Sequence, residues 1–179
     1  MAPSVRLAVV SDTHGNVQLL SSALSLSRAG GRLDAVIHLG DEHTDLEGLT
    51  IEGEEALGVP GLQHPSYGGG TTPIALVRRM GGVTMAMAHQ PSDLPSLRDF
   101  PGPRLFLHGH THSLALSAEP SGVRFNPGHL SGRVDRGRPP SFGIVEIAED
   151  GVAIRGVSVA GQCMLESHWP MELLARKGA

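Results

Sequence analysis

The feature that most constrains this chain is a pattern that recurs along it: a short apolar run is followed by residues able to bind a metal. Val5–Val10 is aliphatic and β-branched, which is typical of a buried strand, and Asp12 and His14 follow it. After a leucine-rich helical segment, the apolar residues 35–39 precede a glycine and Asp41. This β-α-β order predicts an α/β fold, in which sites form at the carboxyl ends of strands.

We predict that the whole chain, residues 1–179, forms one domain, and we find no internal repeat in it. Periodicity and turn residues predict further strands, most of them in hairpins, at residues 56–60, 74–80, 83–88, 104–107, 114–118, 123–125, 142–147 and 152–159. Helical segments are predicted at residues 17–28, within 45–55, at 92–100 and at 171–176.

Three of the ten histidines fall in one stretch, residues 108–112, directly after the strand-like run Leu105–Leu107. Residues two apart in an extended chain point to the same side. We therefore expect His110 and His112 to reach into one pocket while Thr111 points away. For this stretch alone, a histidine cluster on a solvated turn is the competing interpretation.

Polar residues at the other strand ends supply partners for these histidines. Together they form a set of two carboxylates and four imidazoles: Asp12, His14, Asp41, His89, His110 and His112. Such a set can hold two divalent cations, which could activate water and stabilise an in-line phosphoryl displacement. Mixed oxygen and nitrogen ligands suit manganese, iron, zinc or nickel better than magnesium or calcium.

Five motifs in order, Asp-x-His-Gly, Gly-Asp, a lone His after a strand, Gly-His-Thr-His and Asn-Pro-Gly, resemble those of the calcineurin-like metallophosphoesterases. The similarity is greatest to their small bacterial and archaeal phosphodiesterase branch, and it extends from Val5 to about Val159. The resemblance implies an α/β fold, a four-layer sandwich of two mixed β-sheets flanked by helices. It also implies hydrolysis of a small phosphoester, a diester in preference to a monoester, by a hydroxide that bridges two metals.

The resemblance also assigns the ligands. Asp41 would be the bridging residue of the catalytic centre. Metal one would take Asp12, His14, Asp41 and His112, and metal two would take Asp41, His89 and His110. Manganese is the first choice for both cations, with iron, zinc or nickel as alternatives. Thr111 and Asn126 could orient the ligands.

One position departs from the family pattern. The family carries an Asn that binds metal two after the third strand, and Leu62 stands at that position here. Leucine cannot ligate a metal. The nearby His64 could replace the ligand, could act as the catalytic acid that protonates the leaving group, or could be an ordinary loop histidine. Gln63 is a weaker substitute ligand.

Two other functions remain compatible with this departure. One is a binding or scaffold protein with a degenerate site, like the small metallophosphoesterase-like subunit of retromer. The other is a one-metal phosphatase. Several arginines could hold a phosphate, although solvated surface arginine is the default for each: Arg78, Arg79, Arg104, Arg133, Arg136 and Arg138.

Charge and composition exclude some partners. The net charge is −4 and no run of Lys or Arg occurs, so strong nucleic-acid binding is not expected. No apolar run approaches the length of a membrane span, so no membrane partner is expected. Cys163 is the only cysteine, which excludes an intrachain disulfide and fits a cytoplasmic protein. A homo-oligomer is compatible with the sequence.

Overall fold

The computed structural model describes residues 5–49, 53–70, 72–98, 100–120 and 122–175. The strands are β1 (Val5–Val10), β2 (Ala35–His38), β3 (Glu55–Gly58), β4 (Ala75–Met80), β5 (Val83–Ala88), β6 (Arg104–His108), β7 (Leu114–Glu119), β8 (Gly122–Pro127), β9 (Ser141–Ala148), β10 (Gly151–Ser158) and β11 (Cys163–Pro170). The α-helices are α1 (Val17–Ala29) and α2 (Met171–Leu174), and two 3₁₀ turns span His43–Gly48 and Pro91–Asp93.

The strands form two mixed sheets, as the resemblance to the metallophosphoesterases implies. The first has the order β11-β10-β9-β1-β2-β3, and the second has the order β4-β5-β6-β8-β7. Within them, β1, β2 and β3 run parallel to one another, and so do β5, β6 and β8. The carboxyl ends of each parallel set therefore lie along one edge of its sheet, where the segments with candidate ligands leave the strands.

The main core lies between the two sheets. Alternating residues of β1 divide between two clusters: Leu7 and Val9 pack into the core between the sheets, and Ala8 and Val10 pack toward α1. Because β1 is covered on both faces, its sequence is continuously apolar from Leu7 to Val10 rather than alternating. Helix α1 begins after Asn16, whose side chain accepts a hydrogen bond from the Leu19 amide.

No α-helix among the described residues packs on the outer face of the second sheet. A small cluster of Ala86, Leu97 and Phe106 lies there. The prediction of a helix at residues 92–100 is wrong for the described part of that range, where only a 3₁₀ turn, Pro91–Asp93, forms. Pro95 explains this, because a proline lacks an amide donor and disfavours helical geometry at the residue before it.

The predictions for the other connecting segments need smaller corrections. In place of a helix within residues 45–55, the structure has a 3₁₀ turn at His43–Gly48, and β3 begins at Glu55. Residues 50–52 of that prediction and Arg176 of the last predicted helix lie outside the described residues. No helix among the described residues is long and apolar enough to cross a membrane.

Strand β11 was not predicted. It is an edge strand with exposed and half-buried residues, and its apolar positions follow no clear alternation. Within the part of the chain that the structure describes, it pairs with β10 alone, and Trp169 near its end packs against the main core. Trp169 lies opposite Val152, which lies opposite Ile147, which in turn lies opposite Val5 at the start of β1.

Candidate metal centre

Four candidate ligands lie where the chain turns sharply after a strand. Asp12 and His14 follow β1 with φ of +53° and +47°, and His110 and His112 follow β6 with φ of +67° and +54°. Positive φ is uncommon outside glycine and is often found at functional sites. The expected extended geometry of the histidine stretch is therefore wrong. The side chains converge because the backbone turns, and His110 and His112 reach different neighbours.

Asp12, His14, Asp41 and His112 form a compact cluster. One ligand atom from each residue lies within 4.8 Å of all the others. His14 Nε2 is 2.9 Å from Asp41 Oδ2, and His112 Nε2 is 3.1 Å from Asp12 Oδ1. The two Nε2 atoms are themselves only 3.4 Å apart. Two carboxylates and two imidazoles thus point their donor atoms at one small volume.

The chemistry of the cluster fits a divalent cation. Asp12 is fully buried, and its Oδ1 has no hydrogen-bond donor among the described residues even though His112 Nε2 is close. Its Oδ2 accepts hydrogen bonds from Ser11 Oγ at 2.6 Å and from the His110 amide at 3.1 Å. A buried carboxylate oxygen without a donor is costly unless a cation meets it. A metal at this point would supply that missing partner.

The charges of the cluster point the same way. Burial raises the pKa of Asp12, but the neighbouring His112, Ser11 and His89 outweigh it and keep that pKa below its usual value. The contact with Asp12 raises the pKa of His112, and Asp135 adds to this effect, although burial opposes it. The surroundings therefore stabilise positive charge where the two side chains meet.

Asp41 connects this cluster to a second group of histidines. Its other oxygen, Oδ1, is 3.3 Å from His89 Nε2. His89 is buried, and its Nδ1 donates a hydrogen bond to the Leu39 carbonyl at 2.8 Å, which leaves the lone pair of Nε2 facing Asp41. The His110 ring lies 5.2 Å from the His89 ring, between centroids. The structure thus brings all six predicted ligands to one end of the sandwich.

Asp135 supports His112 and was missed in the sequence. Its Oδ2 accepts a hydrogen bond from His112 Nδ1 at 2.5 Å, and this bond lowers the pKa of Asp135. The His129 ring stacks on His112 at 5.6 Å between centroids. Asp135 lies 23 residues from His112 in an irregular loop, so no spacing rule could connect them. The one available signal was that it is the sole carboxylate of residues 131–140.

Asn126 holds the histidine stretch in place, as expected. Its Nδ2 donates to the Gly109 carbonyl and to Thr111 Oγ1, both at 2.9 Å, and its Oδ1 accepts from the Gly128 amide. Gly109 itself packs so closely on Ser11 that an added Cβ would overlap the Ser11 hydroxyl. The stretch can therefore approach the end of β1 only with glycine at this position.

The segment that departs from the family pattern still follows Asp41 closely. Gly61 packs directly on Asp41, where any Cβ would overlap it, and Leu62 comes next with 44% of its surface exposed. His64 lies outside the four-residue cluster. Its Nδ1 lies 2.6 Å from Ser66 Oγ, and its ring meets His43 edge-on at 4.6 Å. Burial, and then His64, lower the pKa of His43.

Comparison with known proteins agrees with this geometry. Residues 5–150 match the family described as the calcineurin-like phosphoesterase superfamily domain. The chain belongs to this superfamily. No curated protein sequence matches it.

Solved structures of this fold are similar over almost the whole chain. Yfce, a phosphoesterase from E. coli, is 18% identical with a TM-score of 0.68, covering 91% of this chain and 98% of that chain. Vps29 from Entamoeba histolytica, complexed with Zn²⁺, is 19% identical with a TM-score of 0.58, covering 93% and 99%. A Thermotoga maritima protein solved by NMR is 26% identical with a TM-score of 0.56, covering 86% and 99%.

Proposed function

We propose that this protein hydrolyses phosphoesters with two divalent cations, and that its substrates are diesters in preference to monoesters. The observation that carries the proposal is the position of Asp41. Its Oδ2 lies 2.9 Å from His14 Nε2, and its Oδ1 lies 3.3 Å from His89 Nε2. A carboxylate whose two oxygens face different imidazoles is suited to bridge two cations, and its charge offsets their repulsion.

Each cation would have its own ligands besides Asp41. Asp12, His14 and His112 would hold the first, and His89 and His110 would hold the second. Manganese is the first choice, with iron, zinc and nickel as alternatives, because the donors mix oxygen and nitrogen. Such cations supply Lewis acidity, which polarises the phosphoryl group and makes water more acidic.

The protein's own residues would fix and complete this centre. The hydrogen bonds from His89 Nδ1 to Leu39 and from His112 Nδ1 to Asp135 set the tautomers, so that each Nε2 offers a lone pair. His64 would protonate the leaving oxygen. This role is supported by the Ser66 amide, which donates to His64 Nδ1 at 3.2 Å and so leaves the proton on Nε2.

Two features of the segment that follows Gly61 support a diester. Exposed Leu62 offers an apolar contact to the second ester group, where the family has a polar residue. The loop that carries His64 is held in place by Tyr67, whose hydroxyl donates to Asp93 Oδ2 at 2.7 Å and accepts from Gln90 Nε2 at 2.9 Å. A loop that is held in one position and presents an apolar side chain suits a phosphate that carries two organic groups.

The test is hydrolysis of bis(p-nitrophenyl) phosphate and p-nitrophenyl phosphate across a panel of divalent ions, with metal content measured on the same protein. We expect about two equivalents of metal and a higher kcat/KM for the diester. Asp41→Asn should lose activity and metal, because a neutral amide bridges two cations poorly. The control Asp150→Asn lies in the β9–β10 hairpin and should retain both.

Metal content separates the two alternatives. Leu62 weakens the second position, so a one-metal phosphatase would bind one equivalent and remain active. A scaffold with a degenerate site would bind none after reconstitution and would hydrolyse neither ester. Two equivalents without turnover on any phosphoester would reject the proposed activity while keeping the proposed ligands.

A further inference from the structure

The loop formed by residues 131–138 lies beside the metal centre, and hydrogen bonds hold it in place at several positions. Ser131 Oγ lies 3.0 Å from His129 Nδ1, and the Ser131 carbonyl accepts a hydrogen bond from Asn16 Nδ2 at 3.2 Å. Further along, Asp135 and Arg138 exchange two backbone hydrogen bonds, at 3.0 and 2.8 Å. The two residues between them form a tight turn. This turn is held against His112 by Asp135.

The turn has an unusual residue at its tip. Arg136 has φ of +48° and Gly137 has φ of +77°. Two-residue turns with both φ values positive strongly favour Asn-Gly, Asp-Gly or Gly-Gly, because a longer side chain is strained there. Among the described residues, five other than glycine have positive φ, and four of these are proposed ligands. Arg136 is the fifth, and strain of this kind tends to be retained where a side chain has a function.

The Arg136 guanidinium lies beside the metal centre. Its side chain is 64% exposed, and its Nε is 3.7 Å from Asp135 Oδ2, the oxygen that accepts from His112 Nδ1. The Asp135 carboxylate and the His112 ring thus lie between the Arg136 guanidinium and His112 Nε2, the nitrogen that would face the cation. Residues 133–138 also contain three arginines, in a chain of net charge −4. The tip is a local positive feature that borders the site.

We propose that Arg136 binds a second anionic group of the substrate, a phosphate other than the one that is hydrolysed. The guanidinium fork suits two phosphate oxygens, and the two intervening side chains keep it away from the phosphoryl group at the cations. Val134, at 67% exposure, offers an apolar contact to the organic part between the two phosphates. This inference rests on the proposed phosphoester function and narrows its substrates to esters with an additional phosphate.

The experiment compares adenosine 3′,5′-bisphosphate with adenosine 5′-monophosphate, each titrated calorimetrically into Mn²⁺-loaded protein. The wild type should bind the bisphosphate roughly tenfold more tightly, which is the usual effect of one charge-assisted hydrogen-bonded contact. Arg136→Gly should reduce that ratio to about one, and Arg136→Lys should restore part of it. The matched control Arg32→Ala removes an exposed arginine between α1 and β2 and should retain the full ratio.

Thermal unfolding separates recognition from a structural role of the turn. Arg136→Gly relieves the positive φ, so its Tm should rise by roughly 2–4 °C while the preference for the bisphosphate is lost. A purely structural residue would change the Tm and leave the affinity ratio as it was.

The inference is overturned if the wild type shows no preference for the bisphosphate, or if Arg136→Gly keeps it or weakens both ligands equally. If the protein hydrolyses phosphoesters but the ratio of bisphosphate to monophosphate affinity does not depend on Arg136, this inference fails and the proposed function stands. If the ratio depends on Arg136 and no phosphoester is hydrolysed, the anion site stands and the proposed function fails.

Discussion

Replacing Asp12 by asparagine should change the stability of the metal-free protein little and remove most of its response to metal. In the wild type, Asp12 Oδ2 accepts hydrogen bonds from Ser11 Oγ and the His110 amide, whereas buried Oδ1 has no donor. An asparagine can keep its carbonyl oxygen in the Oδ2 position. Its amide nitrogen then takes the Oδ1 position, 3.1 Å from His112 Nε2, where it can donate a hydrogen bond. Every polar atom of the substituted side chain is thereby satisfied.

The magnitudes make the two effects separable. In EDTA, asparagine satisfies a position whose missing hydrogen bond costs about 1–3 kcal/mol, but it also loses the ionised carboxylate whose lowered pKa stabilises the folded protein. These two effects oppose each other, so the Tm in EDTA should stay within roughly 4 °C of the wild-type value. The wild type at a metal concentration one hundred times Kd should gain about 2.7 kcal/mol, which corresponds to roughly 5–10 °C. Asp12→Asn should lose most of this gain, because it removes a charged ligand.

Differential scanning calorimetry with EDTA and with Mn²⁺ measures both quantities on the same samples. Asp150→Asn, on an exposed hairpin, is the control and should behave like the wild type in both buffers. If Asp12→Asn melted well below the wild type in EDTA, Oδ1 would have a partner in solution. If it kept the full shift with Mn²⁺, Asp12 would not be a ligand.

The other predictions concern individual histidines and the departure at Leu62. His112→Ala should empty the first metal position and His110→Ala only the second, as read by metal content; equal loss in both folded variants would contradict separate assignments. Leu62→Asn should tighten the second metal, measured as activity at limiting Mn²⁺, and no change would argue that another residue fills this place. His64→Ala should keep both metals and slow esters with poor leaving groups far more than aryl esters, since only a basic leaving oxygen needs the proton; the same rate loss on both would remove it as the acid. Burial lowers the pKa of His38 to about 3. Between pH 6.5 and 3 the unfolded chain therefore binds a proton that the folded protein does not. The free energy of unfolding should thus fall by up to about 1.4 kcal/mol per pH unit on acidification. His38→Asn should flatten this slope in denaturant titrations, because its amide oxygen can still accept from the Gly40 amide, and an unchanged slope would mean that His38 is protonated when folded.

Much of the fold could be predicted because its strong local signals agree with the final packing. The apolar run of β1, the cap at Asn16 and the glycine turns of the hairpins all specify their elements within a few residues. Strand β11 lacks such a signal, since an edge strand with one neighbour needs no alternation of apolar and polar residues. The missing helix after Pro91 shows that a proline within a segment outweighs the helical tendency of its neighbours.

The candidate site was predictable in its members and not in its geometry. Glycine and ligand residues at strand ends identified the residues that converge, because parallel strands bring their ends to one edge. The positive φ of His110 and His112 has no sequence signature, since neither residue is a glycine. Asp135 could not be found from spacing, because it reaches His112 only through the tertiary path of an irregular loop.

The position of Trp169 decides what intrinsic fluorescence can report. It is the only tryptophan, and it lies in the row of residues that ends at Val5, at the start of β1. Asp12 follows the other end of that strand, seven residues later, or roughly 20 Å away at the rise of an extended chain. Emission from Trp169 therefore monitors the pairing of β10 with β11 and the core beneath them. Metal added to the folded protein should leave the spectrum unchanged, whereas loss of the sheet should shift it.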